Sequence, residues 1–281
     1  MKKFLKIFLS AVLVLSFAFP LFAQRARRVD TSVRPLSADD AKERWEEFLA
    51  SRPVKDYCFK FDMAHLPRKS EAVEYFGYVW GRHISGGTYS MRLKISQKSD
   101  AGKSAEFLFV SKNGVCRMFK KTGGKVEEIP QSDWFKPILD GLVYTPFDFA
   151  APYKKWKSNY AGPGRVGRAV HFFDMRPDAE FSEKNPNLKK VRIALSREFN
   201  APFYTEYYGE GETPERALML DSIKKIGDVW FMKEIEMQDK KNRDKDKMKI
   251  VAIKFFDSLS PEIFDVENFG KEIENPILEE I

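Results

Sequence analysis

Few residues in this chain have the types and spacing that chemistry needs. Gly162-Pro163-Gly164-Arg165-Val166-Gly167 spells GxGxxG. A dinucleotide site needs a strand before that pattern and a helix opening within it, so that amides and a helix terminus meet the pyrophosphate. Here His171-Phe172-Phe173 continues as strand and Pro163 stiffens the loop, which makes the hexapeptide a turn. The histidines are His65, His83 and His171, none with His or Cys at metal-ligand spacing. His65 and His83 flank turns and are expected to be solvated. A Ser–His–Asp triad is assembled in space, but no G-x-S-x-G marks a nucleophile. The expectation is a non-enzymatic protein with no metal and no cofactor.

Residues 239–247 hold Lys240, Lys241, Arg243, Lys245 and Lys247 against Asp239, Asp244 and Asp246. The Asp spacing does not match a calcium loop. Either this is a solvated hairpin tip, or Lys240 to Lys247 form a basic patch that touches an anionic membrane surface or a partner. The interleaved acids favour the hairpin tip.

The address comes from the first 23 residues. Lys2, Lys3 and Lys6 precede an apolar run over 7–19, and Ala23 ends the segment before polar residues. That is a cleavable secretory signal, shorter than the roughly 20 apolar residues that span a bilayer; an uncleaved anchor is the alternative. No Cys stands at its end, the first being Cys58, so no lipidation is expected there. The 281-residue chain carries 48 Lys and Arg against 41 Asp and Glu, a net +7, and loss of residues 1–23 removes three lysines and no acid, leaving +4. So mild an imbalance argues against a nucleic-acid partner. A soluble, periplasmic, monomeric protein is expected. Export permits a Cys58–Cys116 disulfide; two buried free thiols are the other possibility.

The elements that would position a site follow from hydrophobic period. A flexible basic lead-in is expected over residues 24–36 and a single β domain over 37–281. Ser37 with Asp40 resembles a capping box, and Ala41, Trp45, Phe48 and Leu49 share one helical face that Arg52-Pro53 ends. From 54 to 130 the period is two, giving about five antiparallel strands with turns at Gly86-Gly87, Asn113-Gly114 and Gly123-Gly124. Tyr57, Phe59, Phe61 and Met63 alternate with polar residues, as do Met91, Leu93 and Ile95. Residues 73–80 and 107–110 are apolar on both parities, so both their faces should be covered. Trp134, Phe135, Ile138 and Leu139 share the face of a helix capped by Ser132 or Asp133 and ended by Gly141, and Thr145-Pro146 opens a second short one. Strands resume after Gly162, with candidates over 168–175, 189–197, 203–208, 217–225, 229–237 and 248–256. The fold class is mainly β (α+β): one curved antiparallel sheet of about ten or eleven strands forming an unclosed barrel, with an N-terminal helix and a mid-chain helical lid.

Aromatic residues make up 14% of the chain. They are either plain core or the lining of a cavity beneath the lid. Nine Met, among them Met63, Met91 and Met118, suit an adaptable lining.

The order of elements resembles the outer-membrane lipoprotein-sorting family, the LolA-like periplasmic carriers, over nearly the whole mature chain. Ile138-Leu-Asp-Gly-Leu-Val-Tyr-Thr145-Pro-Phe-Asp148 is similar to the family's segment leading into the second half of the sheet. Asn187 to Leu195, Ile226-Gly-Asp-Val-Trp230 with Glu236-Met237, and Leu259 to Asp265 resemble later strands and the closing turn. The resemblance implies an unclosed β-barrel with a helical lid, a hydrophobic cavity for lipoprotein acyl chains, no enzyme activity and no cofactor. On this reading the protein carries lipid or a lipidated protein in a cavity lined by Phe59, Phe61, Met91, Leu93, Ile95, Trp134, Phe135, Ile138 and Leu139. The alternatives are a structural or sensing module that docks a protein partner on the same concave face and, more remotely, an exported hydrolase.

Overall fold

Alternating side chains give each strand two distinct faces, and the computed structural model shows what covers them. It describes residues 33–50, 55–84, 88–112, 115–227 and 229–281. The leader, most of the lead-in, Arg52-Pro53, and the Gly86-Gly87 and Asn113-Gly114 turns lie outside these residues. The first helix, α1 (Ala38–Ala50), is capped by Ser37, whose Oγ accepts the Asp40 amide at 3.1 Å. It buries Ala41, Trp45 and Phe48.

Six strands follow as a meander: β1 (Asp56–Leu66), β2 (Val73–Ile84), β3 (Thr88–Gln97), β4 (Ser104–Lys112), β5 (Val115–Thr122) and β6 (Lys125–Glu128). A second meander holds β7 (Ser158–Val166), β8 (Arg168–Met175), β9 (Lys190–Ser196), β10 (Pro202–Tyr208), β11 (Arg216–Ile226), β12 (Val229–Asp239) and β13 (Lys245–Phe256). Pairing of β1 with β13 joins the two meanders into one antiparallel sheet, ordered β6-β5-β4-β3-β2-β1-β13-β12-β11-β10-β9-β8-β7. The terminal β14 (Glu279–Glu280) adds to β13. The sheet is curved and not closed, because β6 and β7 end it without pairing. The described residues thus hold 14 strands rather than ten or eleven.

The chain from β6 to β7 connects the two edges of the sheet and lies over its inner face. The helix expected around Trp134 is not α-helical: a 3-10 turn, Gln131–Asp133, passes into irregular backbone through Gly141. Pro137 explains this, since it falls inside the expected helix and lacks the N–H a helix interior requires. The second segment forms as its sequence predicts. In α2 (Pro146–Ala150) Thr145 and Asp148 make a capping box, and Ala151 turns the chain with φ 43° into a 3-10 turn, Pro152–Lys155. A short α3 (Ala179–Lys184), capped by Asp178, packs beside the lid.

Both faces of the first meander are covered, as residues 73–80 and 107–110 predict. Val79, Leu93, Ile95, Phe107 and Phe109 join the inner core with α1 and the lid. On the outer face Cys58, Trp80, Leu108 and Phe119 pack under Leu259, Phe264 and Phe269 of the C-terminal segment. Arg92 fastens that segment. Fully buried, it pairs with Glu106 and donates to the carbonyls of Phe269 at 3.3 Å and Lys271 at 2.8 Å.

The glycine-rich hexapeptide is not a turn between strands. It lies within β7, where a bulge falls between Tyr160 and Gly162, and Gly162 has φ 103°. Pro163 is tolerated because β7 is an edge strand.

Candidate functional site

Along most of the inner face there is no space. Phe61, Leu93, Ile95 and Ile138 have no exposed surface and belong to the packed core. The space is at one end, where β1, β3 and β5 begin and β2 and β4 finish. There an open cleft of about 1430 Å³ lies between sheet, α1 and lid. Ligand pockets commonly hold roughly 300–1,000 Å³.

Its floor is the inner face of the first meander: Tyr57, Tyr89, Met91 and Cys116. Tyr57 lies flat because Gly81 opposite it has no side chain; a Cβ there would fall 2.1 Å from the ring. One wall is Trp45, Phe48 and Leu49 of α1. Trp45 is held from behind by Phe173, their rings 5.2 Å apart and stacked. The opposite wall is Ile129, Pro130, Trp134 and Phe181. Phe149, Trp156 and the 3-10 turn after Ala151 roof it. Tyr89 hydroxyl donates to the Ala150 carbonyl, tying roof to floor, and its Oη lies 3.8 Å from Cys116 Sγ. Burial, with Cys116 beside it, pushes the Tyr89 phenol well above its usual range.

The polar rim is mostly self-neutralised. Arg117 forms a two-point pair with Glu128, at 2.9 and 2.5 Å. Arg82 faces Asp56 at 3.4 Å, and Glu180 binds Lys184 at 2.8 Å. Asp178 accepts the Phe181 amide as the cap of α3. Two cations remain. Lys154 stands over the Phe48 ring at 5.8 Å, and Lys155 donates to Ser111 Oγ at 2.5 Å. Burial lowers the pKa of both, an effect that Cys116 partly opposes at Lys155.

Of the nine residues expected to line a cavity, Met91 and Trp134 are on the cleft wall. Phe59, Phe135 and Leu139 are partly buried against the inner core, outside the wall. The hollow is therefore shifted toward one end from where strand alternation alone put it. Alternation identifies a dry face; it cannot say which part of that face the lid fills. Lys154 and Lys155 went unseen because a four-residue 3-10 turn shows no period, and Phe181 because α3 is only six residues long.

Cys58 and Cys116 are free. They lie on opposite faces of the sheet, in strands four positions apart, or roughly 19 Å at the usual strand spacing. A disulfide does not form across that distance. His65 is not solvated but 7% exposed and paired with Asp246, and His171 is buried against Tyr160. The backbone of His83 is in β2; its side chain lies outside the described residues. No cluster of metal-ligating side chains occurs among the described residues. The turn after Asp239 is a hairpin tip closed by Asp239 itself, which accepts from Lys241 and Asn242, while Lys245 and Lys247 each bind Glu236 at 3.1 Å.

The fold has solved counterparts. A domain from Vibrio parahaemolyticus, named for outer membrane lipoprotein sorting, superposes with a TM-score of 0.70 at 15% identity, covering 84% of this chain and 100% of that one. The chain has the LolA-like fold. A LolA superfamily protein from Nitrosomonas europaea superposes at 0.57 with 11% identity, over 82% and 98% of the two chains. A DUF1329 family protein from Desulfovibrio piger gives 0.67 at 12%, over 81% and 96%. A family model described as that of an uncharacterized protein matches residues 154–271, the lid's end and the second meander of this LolA-like fold. No curated protein matches the chain in sequence. Among the described residues no helix is long and apolar enough to cross a membrane.

Proposed function

We propose that the protein is an exported, non-enzymatic carrier that holds the acyl chains of a lipid or lipidated protein in the cleft, and that it works in the periplasm. The observation that carries this is an open cleft of about 1430 Å³ walled by Trp45, Phe48, Leu49, Met91, Trp134 and Phe181. An empty apolar hollow in water is costly, and an acyl chain offsets that cost by about 0.8 kcal/mol per CH₂ buried. Domains named for lipoprotein sorting share the fold. A protein partner laid along the inner face would have to displace the lid, because Phe61, Leu93 and Ile95 are already sealed beneath it. Ser111 and Lys155 approach like a nucleophile and base, but Ser111 has no exposed surface from which to attack a substrate.

The test is titration with the uncharged fluorescent probe N-phenyl-1-naphthylamine. Saturable binding that Met91→Asp and Leu49→Asp abolish, with both variants folded by circular dichroism, supports the carrier. Absence of saturable binding to the unmodified protein contradicts it.

A further inference from the structure

We propose that Lys154 and Lys155 form the head-group end of the cleft, and that its occupant is an amphiphile with an anionic head on an acyl chain. This rests on the carrier reading and adds the chemistry of the ligand's polar end. Every carboxylate on the cleft wall is engaged: Glu128 by Arg117, Glu180 by Lys184, and Asp178 by the α3 amide. Arg82 is turned to Asp56. Lys154 and Lys155 are the wall's cations with no carboxylate within ion-pair distance among the described residues. They are adjacent, on a turn that the left-handed Ala151 sets against the roof of the cleft. Backbone held at positive φ in a non-glycine residue is strained, and such strain clusters where a site is being shaped.

The groups they touch carry no charge. Lys154 stands over Phe48, and Lys155 meets a neutral hydroxyl and a thiol. Both remain water-accessible, yet the surrounding protein already disfavours their charge. Filling the cleft with hydrocarbon alone would strip the remaining water and leave two unpaired ammonium groups. A carboxylate or phosphate on the end of the chain supplies the missing partner, with charge-assisted hydrogen bonds.

The experiment is competition against bound N-phenyl-1-naphthylamine with palmitate, hexadecanol and acetate, using the full chain and a Lys154→Met, Lys155→Met variant. The unmodified protein should prefer palmitate to hexadecanol by about tenfold or more, the difference one charge-assisted contact makes. The double variant should lose that preference while still binding hexadecanol, and Lys154→Arg with Lys155→Arg should restore it. Equal affinity of the unmodified protein for palmitate and hexadecanol overturns the head-group site and leaves the carrier standing. A preference that survives in a folded double variant also overturns it, as does displacement by acetate as effective as by palmitate. If no competitor displaces the probe, the carrier reading fails as well.

Discussion

His65 Nδ1 lies 2.7 Å from Asp246 Oδ1, deep under the lid, while Asp246 Oδ2 accepts the amides of Val143 and Tyr144 at 2.6 and 2.9 Å. One buried carboxylate thus ties the lid segment to β1 and β13. Arg216 reinforces the joint, donating to the Val143 carbonyl at 2.7 Å and to Asp148. Asp246→Ala leaves two amides and an imidazole without their acceptor. Each buried donor left without its acceptor costs about 1–3 kcal/mol. Denaturant unfolding should show a loss of that size, with protease cleavage appearing between residues 138 and 145 before the strands are cut.

Arg92 performs the same duty on the opposite face. Arg92→Met keeps an apolar stem but removes every donor that holds the Phe269 and Lys271 carbonyls. The C-terminal segment from Leu259 onward should become the first site of limited proteolysis, with stability lower by about 3 kcal/mol. Unchanged digestion would show that Leu259, Phe264 and Phe269 hold the segment by packing alone.

Gly77 lets Phe61 cross β2. A Cβ there would lie 2.2 Å from the Lys94 carbonyl oxygen and 2.4 Å from the Phe61 ring. The backbone oxygen cannot yield as a side chain does, so Gly77→Ala should cost about 1–3 kcal/mol by overpacking. Thermal melts of this variant beside Gly102→Ala, at an exposed turn, would read the difference.

His171 makes stability depend on pH. Burial, and then the positive charges of Arg44 and Arg197, push its pKa down from 6.5 to about 4. Tyr160 hydroxyl accepts the Leu36 amide at 3.2 Å and lies 2.9 Å from His171 Nδ1, an arrangement that suits a neutral ring accepting the tyrosine proton. The unfolded chain binds a proton near pH 6.5 and the folded chain only near 4, so this residue's contribution is present above 6.5 and is lost as pH falls toward 4. The loss is roughly 3 kcal/mol at most. His171→Gln should flatten the fall in melting temperature across that window.

How far the sequence foretold this molecule depends on period. Residues 168–175 match β8 end to end, and strands 203–208 and 248–256 differ from the observed ones only at their starts. Double-sided apolar strands correctly demanded cover on both faces, which Phe264 and Phe269 provide. The lid was legible at Thr145-Pro146, where capping chemistry is local, and illegible around Trp134, where four apolar residues at helical spacing flank a proline in irregular backbone. Met91 and Trp134 could be placed at the cleft from pattern. Lys154 and Lys155 could not, because the sequence does not show which carboxylates nearby are already taken, and that is decided only when β5, α3 and the lid come together.

The most direct test of the carrier is native mass spectrometry of the protein isolated without detergent from its own cells, before and after organic extraction. The expected result is a mass excess matching an acyl-bearing lipid, removed by extraction and absent from the Met91→Asp protein. A homogeneous mass with no excess, and no uptake when the extracted protein is mixed with the cell's own lipids, would contradict it.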